Sequence, residues 1–399
     1  RLVHYEDTST QMVALNIVYD VGARDEHPEH TGFAHLFEHL MFGGSAHIPD
    51  YDTPLQLAGG ENNAWTNNDI TNYYLTVPKP NVETAFWLES DRMLELAFSE
   101  QSLEVQRGVV MEEFKQRCLN QPYGDVGHLF RPLAFRVHPY RWPTIGKELS
   151  HIEQATLDEV KSFFYRFYAP NNAVLAVTGN ISWDETVKLT EKWFAPIPRR
   201  DVPVRQLPQE PEQTQERRLT VERNVPLDAL FMGYHMCSRE GADYYAFDIL
   251  SDILSNGRSS RLNRRLVQEQ NIFSGIDAYI SGTRDAGLLQ ISGKPAAGVS
   301  LEQAEAAVRK ELEELQRSPV DGQELEKVKN KFESTQIFGN INYLNVATNL
   351  AWFELTGKAE DIDLEVERYR SVTTEQLHTV AQRTFCESNA VVLYYKSDK

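Results

Sequence analysis

The chain has 399 residues and is 41% hydrophobic, which at roughly 150 residues per domain predicts two or three packed domains. Its formal net charge of -18 at pH 7 argues against a nucleic acid or an anionic membrane surface as partner. No apolar stretch reaches the roughly 18 uncharged residues that a membrane-spanning helix needs. The first residue is Arg1, so the earlier removal of a targeting segment is compatible with the sequence. The compartment is left open between an exported, for example periplasmic, location and the cytoplasm.

The first predicted elements are a strand and a helix joined by a polar loop. Residues 11–22 are rich in β-branched side chains and predict a strand that ends at Gly22. Residues 31–45, TGFAHLFEHLMFGGS, predict a helix that ends at a glycine pair, with Thr31 as its N-cap.

This helix carries two histidines and a glutamate on one face. His35, Glu38 and His39 stand at positions i, i+3 and i+4, which project together from a helix. Two imidazoles are frequent zinc ligands, and a carboxylate beside them can deprotonate a bound water. The order His-x-x-Glu-His is the inverzincin signature. The alternative is a helix whose three polar side chains face solvent, and we favour metal binding over it.

A third zinc ligand is needed, and the next helices offer a pair of carboxylates. After two strands around a polar turn at residues 67–69, the apolar spacing predicts helices over residues 81–98 and 99–118. The second of these helices contains Glu112 and Glu113, which interrupt an apolar face. Adjacent glutamates near Lys and Arg are also typical of a solvated helix face, and spacing alone does not choose between the two residues.

The rest of the chain indicates a duplication. Residues 196–216 contain five prolines and little apolar periodicity, which is typical of a linker. We therefore predict a domain at 1–200, a Pro-rich linker at 201–217 and a homologous domain at 218–399. Residues 157–177 and 374–395 share a helix, a turn with Asn-Ala-Val and a strand, as repeated architectures do. In the second half, Asp248, Ser251 and Asp252 stand where the first half has His35, Glu38 and His39.

Several motifs in this order resemble the pitrilysin–insulinase metallopeptidases, which include the mitochondrial processing peptidases. The resemblance depends on HLFEHLMFGG at 35–44, GGENNAWTNNDITNYYLTVP at 59–78, GVVMEEF at 108–114 and HPYRWPTIG at 138–146, and it extends over both halves. It implies an α+β fold of two duplicated domains, each a mainly antiparallel sheet with packed helices, which form a clam-shell when chains pair. It also implies a zinc-dependent endopeptidase or oligopeptidase.

The resemblance implies roles for individual residues. His35, His39 and Glu113 would hold one Zn²⁺ per chain, and Glu38 would be the general base of peptide hydrolysis. The strand at Asn63 and Ala64 would pair with an extended peptide substrate through main-chain hydrogen bonds.

The chain departs from this family at three positions. Self-sufficient members carry an Arg and a Tyr in the second half, where this sequence has Val267 and Ser274. This difference is typical of a zinc-bearing subunit that works with a related metal-free partner. Gln106 stands where many relatives have another glutamate, and we expect its neutral amide to lie beside the metal ligands, where it can hydrogen-bond but adds no charge. A homodimeric peptidase and a non-hydrolytic scaffold subunit are the alternative interpretations.

Overall fold

A computed structural model describes residues 1–398. The ten strands are β1 (Leu2–Glu6), β2 (Met12–Tyr19), β3 (Glu61–Thr66), β4 (Thr71–Pro78), β5 (Ala173–Gly179), β6 (Arg217–Arg223), β7 (Ala229–Met236), β8 (Phe273–Ile280), β9 (Gly287–Pro295) and β10 (Ala390–Ser397). The helices of the first half are α1 (Phe33–Leu40), α2 (Asp52–Leu57), α3 (Val82–Leu94), α4 (Glu100–Phe114), α5 (Val126–Ala134), α6 (Leu149–Glu153), α7 (Leu157–Phe167) and α8 (Trp183–Phe194). Those of the second half are α9 (Tyr244–Ser255), α10 (Leu301–Arg317), α11 (Gly322–Gly339), α12 (Tyr343–Thr356), α13 (Glu365–Ser371) and α14 (Thr374–Thr384).

The strands form two five-stranded sheets with the same topology. Their orders are β1-β5-β2-β4-β3 and β6-β10-β7-β9-β8. Only the β1–β5 and β6–β10 pairs are parallel among the described strands, and every other pair is antiparallel. The prediction of an α+β protein made of two duplicated, mainly antiparallel sheets is therefore confirmed.

The first compact unit comprises residues 1–120, 138–208 and 337–364. One face of its sheet packs on α1, α3, α4, α7 and α8 in a core that is rich in aromatic side chains. The opposite face is covered by α12, whose Ala347, Ala351 and Leu355 pack on Ala14 and Val18 of β2. Because both faces of the sheet are covered, β2 is a nearly continuous apolar strand instead of an alternating one.

The second compact unit comprises residues 121–137, 209–336 and the segment from Glu365 onward. Helices α9, α10 and α14 pack on one face of its sheet, and α5 contacts β6, β7 and β10. Compared with the predicted division into 1–200 and 218–399, α5 lies in the second unit and α12 in the first. Helical periodicity shows that a helix has an apolar face, but it does not show which sheet that face will cover.

The structure corrects the predicted start of the histidine-bearing helix. Its N-cap is Gly32, and Thr31 makes no cap hydrogen bond. Thr31 is fully buried, and its hydroxyl accepts a hydrogen bond from the Lys147 N–H (2.8 Å) and lies 2.8 Å from the His151 Nδ1 atom. The prediction was wrong because a threonine beside a helix start can also bond to a distant loop.

Two helix ends also differ from the predicted ones. Helix α3 ends at Leu94, four residues earlier than predicted. The predicted helix over residues 99–118 consists of α4 followed by a π-helical turn at Lys115–Leu119. Its start is confirmed, since the Ser99 hydroxyl accepts a hydrogen bond from the Ser102 N–H (3.0 Å).

Candidate metal centre

Helix α1 has a buried apolar side and a polar side that faces α4. Leu36, Phe37 and Leu40 are buried in the core of the first unit, where Phe37 stacks on Tyr168 with ring centroids 4.9 Å apart. Because these residues hold the helix on the core, the face with His35 and His39 is directed to α4, with which α1 is in contact.

The side chains of His35, His39 and Glu113 converge at one point. The Glu113 Oε2 atom lies 3.2 Å from the His39 Nε2 atom and 3.5 Å from the His35 Nε2 atom. The two imidazole rings are nearly perpendicular, with centroids 5.0 Å apart. One ligand atom from each residue lies within 4.8 Å of the other two. Within residues 1–398, no other set of three His, Cys, Asp or Glu side chains brings its ligand atoms this close together. Two imidazole nitrogens and a carboxylate oxygen fit the three protein ligands of a catalytic zinc site.

The local electrostatics favour an ionised Glu113 and disfavour a charged His39. The pKa of Glu113 is lowered to about 2 by a hydrogen bond with His35 and by positive charge on His35, Arg117 and His39, while burial opposes the shift. The Arg117 Nη2 atom lies 2.8 Å from the second oxygen of Glu113. Burial and the neighbouring His35 lower the pKa of His39. An ionised carboxylate and a neutral imidazole are the forms that coordinate a metal.

Glu112 and Glu113 have different environments although they are adjacent. Glu112 is exposed, and its carboxylate contacts Lys115 (4.0 Å) and Gln116 (3.4 Å) on its own helix. Glu113 is only 19% exposed and faces α1. The helix turns by about 100° per residue, so only one of two consecutive side chains can be directed at the histidines.

Glu38 lies on α1 between the two histidines and is half-buried. Burial is the largest cause of the raised pKa values of Tyr73 and Tyr168, and the negative charge of Glu38 raises both further. Both phenols are therefore close enough to Glu38 to interact with its charge. The Tyr73 hydroxyl donates a hydrogen bond to the carbonyl oxygen of Phe37 (3.0 Å), the residue before Glu38. This bond connects strand β4 to the turn of α1 that carries Glu38.

The other residues singled out in the first half lie on elements that contact α1. Gln106 is half-buried on α4 and lies beside Gly43, which follows α1. Its amide nitrogen is 3.5 Å from the position that a Cβ atom on Gly43 would occupy. Asn63 and Ala64 lie on β3, the edge strand of the first sheet, which contacts α1. The Asn63 side-chain oxygen accepts a hydrogen bond from the Ala64 N–H (2.8 Å).

The residues singled out in the second half have structural contacts in the second unit. Val267 lies in a π-helical turn, Asn263–Glu269, and packs partly on the core. Ser274 is exposed on β8, and its hydroxyl donates to the Lys294 carbonyl (3.1 Å). Asp248 on α9 accepts a hydrogen bond from the Tyr369 hydroxyl, and Asp252 accepts one from the Asn256 side chain (2.8 Å).

Two residues near the centre were not predicted from the sequence. Arg117 follows Glu113 by four positions, so helical spacing alone could have indicated their ion pair. Glu26 hydrogen-bonds the first turn of α1 from a polar loop. It had no sequence signal, because an acidic residue in a loop is usually solvated.

Comparisons with known proteins show which family the chain is similar to. Residues 1–125 match the family described as insulinase (peptidase family M16), and residues 154–332 match the domain described as the peptidase M16 inactive domain. The chain belongs to peptidase family M16.

The M16 chain has relatives along its whole length. It is 26% identical over 395 residues to the zinc protease PqqE of Helicobacter pylori, with 98% of this chain and 89% of that protein covered. The crystal structure of a protease from Helicobacter pylori matches with a TM-score of 0.94 at 26% identity, over 99% of this chain and 96% of that one. The periplasmic protease PqqL of Escherichia coli shares the fold (TM-score 0.81, 18% identity), and this chain covers 46% of its length. None of the helices formed by residues 1–398 combines the length and the apolar character needed to cross a membrane.

Proposed function

We propose that this M16 chain is a zinc-dependent endopeptidase or oligopeptidase that binds one Zn²⁺ through His35, His39 and Glu113. The observation that supports this most is the convergence of two imidazole nitrogens and one carboxylate oxygen from α1 and α4. Zinc held by such ligands supplies Lewis-acid chemistry, which makes water more acidic and a carbonyl more electrophilic.

The residues of the chain would act on the substrate as follows. Glu38 projects from the same helix face as the two histidines and would take the proton of the attacking water, then deliver it to the leaving amine. Strand β3 would bind the peptide at its free edge near Asn63 and Ala64, since main-chain pairing accepts many side chains. Gln106 would support the end of α1 without adding charge to the metal surroundings.

The substitution Glu38→Gln tests this function. Glutamine keeps the size of the side chain and removes the base, so we expect hydrolysis of an unfolded peptide to fall by at least about 100-fold. Zinc content should stay at about one ion per chain, because Glu38 is not a proposed ligand. A variant that keeps its activity, or that loses its zinc, would contradict the assigned role.

We also propose that full activity needs a related, metal-free partner chain. The support for this is the chemistry of Val267 and Ser274, since an aliphatic side chain and a short hydroxyl cannot replace a guanidinium and a phenol as substrate contacts. Peptidase activity should rise on mixing the chain with such a partner, while this chain alone stays weakly active and the metal-free partner alone is inactive. High activity of the isolated chain would support a homodimer instead. A chain without zinc would favour the scaffold interpretation.

A further inference from the structure

A buried carboxylate from the preceding loop holds the first turn of α1. Glu26 is only 6% exposed, and its Oε2 atom accepts a hydrogen bond from the Gly32 N–H (2.9 Å). Its Oε1 atom accepts one from the Ala34 N–H (2.9 Å). The two bonds span the start of the helix, so the carboxylate satisfies peptide N–H groups that have no partner within a helix.

The local packing explains why this cap comes from outside the helix. Gly32 occupies the N-cap position with φ +90°, a conformation that favours glycine. A Cβ atom on Gly32 would lie 2.8 Å from the Ile152 Cδ1 atom and 2.9 Å from the Ile145 carbonyl oxygen. No capping side chain fits at this position, and the negative charge that suits a helix N-terminus is supplied by Glu26 instead.

The position of this bridge connects it to the candidate metal centre. Ala34 precedes His35, so Glu26 bonds to the backbone of the turn that carries His35, while His39 lies one turn later. We infer that Glu26 is a positioning residue, which holds the first turn of α1 so that the His35 imidazole stays directed at the point shared with His39 and Glu113. This inference deepens the proposed zinc site and depends on it for its functional meaning.

The charge state of Glu26 determines the conditions of the test. Burial raises the pKa of Glu26 to about 8, whereas the hydrogen bonds from Ala34 and Gly32 lower it. The measurements are therefore made at about pH 8.5, where the ionised form that accepts both bonds predominates.

The test compares two identical substitutions at two helix N-termini of the same unit. Glu26→Gln replaces one acceptor oxygen with an NH₂ group facing a peptide N–H. Glu159→Gln is the matched control, because its carboxylate bonds to the N–H (2.9 Å) and the hydroxyl (2.8 Å) of Thr156 at the start of α7. The readouts are the zinc dissociation constant from competition with a chelator, and the exchange rates of α1 backbone amides in the metal-free protein.

We expect Glu26→Gln to weaken zinc binding by about 10- to 100-fold, the usual effect of losing a group that orients a ligand. Amide exchange should accelerate in the first turn of α1 and much less in its second turn, whereas Glu159→Gln should change neither readout. Unchanged zinc affinity and exchange in Glu26→Gln would overturn the inference, as would an equal effect of Glu159→Gln. If Glu26→Gln does not fold, Glu26→Asp replaces it, because the shorter carboxylate cannot reach both N–H groups.

The failure of the proposed function gives a different result. If the wild-type chain binds no zinc, the proposed peptidase site is wrong, and amide exchange alone then decides whether Glu26 holds this turn. Faster exchange confined to the first turn of α1 would support the positioning role, and unchanged exchange would refute it.

Discussion

The adjacent residues Glu112 and Glu113 allow a direct test of the candidate metal centre. Glu113→Gln replaces the carboxylate whose Oε2 atom lies 3.2 Å from the His39 Nε2 atom. A neutral amide is a poor zinc ligand, so the variant should lose at least about 100-fold in zinc affinity, more than a lost orienting group usually costs. Glu112→Gln makes the same change one residue earlier, on the exposed side of α4.

The size of the effect on stability follows from ligand linkage. With free zinc at 100 times its dissociation constant, binding stabilises the folded wild-type chain by about 2.7 kcal/mol. In a unit of this size, this corresponds to a rise of roughly 5–10 °C in the midpoint of thermal unfolding. Glu113→Gln should show almost none of this rise. Glu112→Gln should show all of it, because Glu112 is not a proposed ligand. Its own contribution to stability is small, since an exposed contact such as that with Lys115 (4.0 Å) is worth at most about 1 kcal/mol.

The assay is thermal unfolding with and without zinc, together with metal analysis of the dialysed proteins. Equal zinc content and equal stabilisation in the two variants would refute the assignment of Glu113. Loss of zinc from Glu112→Gln alone would show that α4 presents the other carboxylate to the histidines.

Three further predictions concern substrate binding and stability. Asn63→Ala should raise the KM for a peptide substrate by about 2- to 10-fold, because one hydrogen-bonding group at the edge of β3 is lost. The zinc content should stay unchanged. An unchanged KM would argue against this edge as the peptide site. The buried Arg92 donates hydrogen bonds to both carboxylate oxygens of Glu89, at 2.9 Å and 2.5 Å. Arg92→Met should lower the free energy of unfolding in urea by about 3–5 kcal/mol, because it leaves the Glu89 carboxylate buried without its cation. The double variant with Glu89→Gln should recover part of this loss, and no recovery would contradict the explanation. Ala351→Leu should destabilise the first unit by about 1–3 kcal/mol, because Ala351 is fully buried where α12 packs on the sheet and a larger side chain has no room there. A neutral effect would indicate that this layer is loosely packed.

The local pattern of the sequence was sufficient for the helices and strands that carry the candidate site. Apolar spacing predicted a helix that presents His35, Glu38 and His39 together, and α1 has this arrangement because helical periodicity is a property of neighbouring residues. The duplication was equally visible, since α7 with β5 and α14 with β10 repeat one pattern of residues. The identical strand orders of the two sheets agree with it.

Contacts between distant segments were decided by the tertiary structure alone. Two consecutive glutamates have the same local pattern, and only the packing of α4 on α1 directs Glu113 to the histidines and leaves Glu112 in solvent. The cap of α1 comes from Glu26 because the Thr31 hydroxyl bonds to Lys147 in a distant loop and packing at Gly32 excludes a side chain there. The two glutamates are chemically identical, whereas the two capping residues are a hydroxyl and a carboxylate, and in both cases the outcome depended on steric fit and burial. Both are set by residues far away in the sequence.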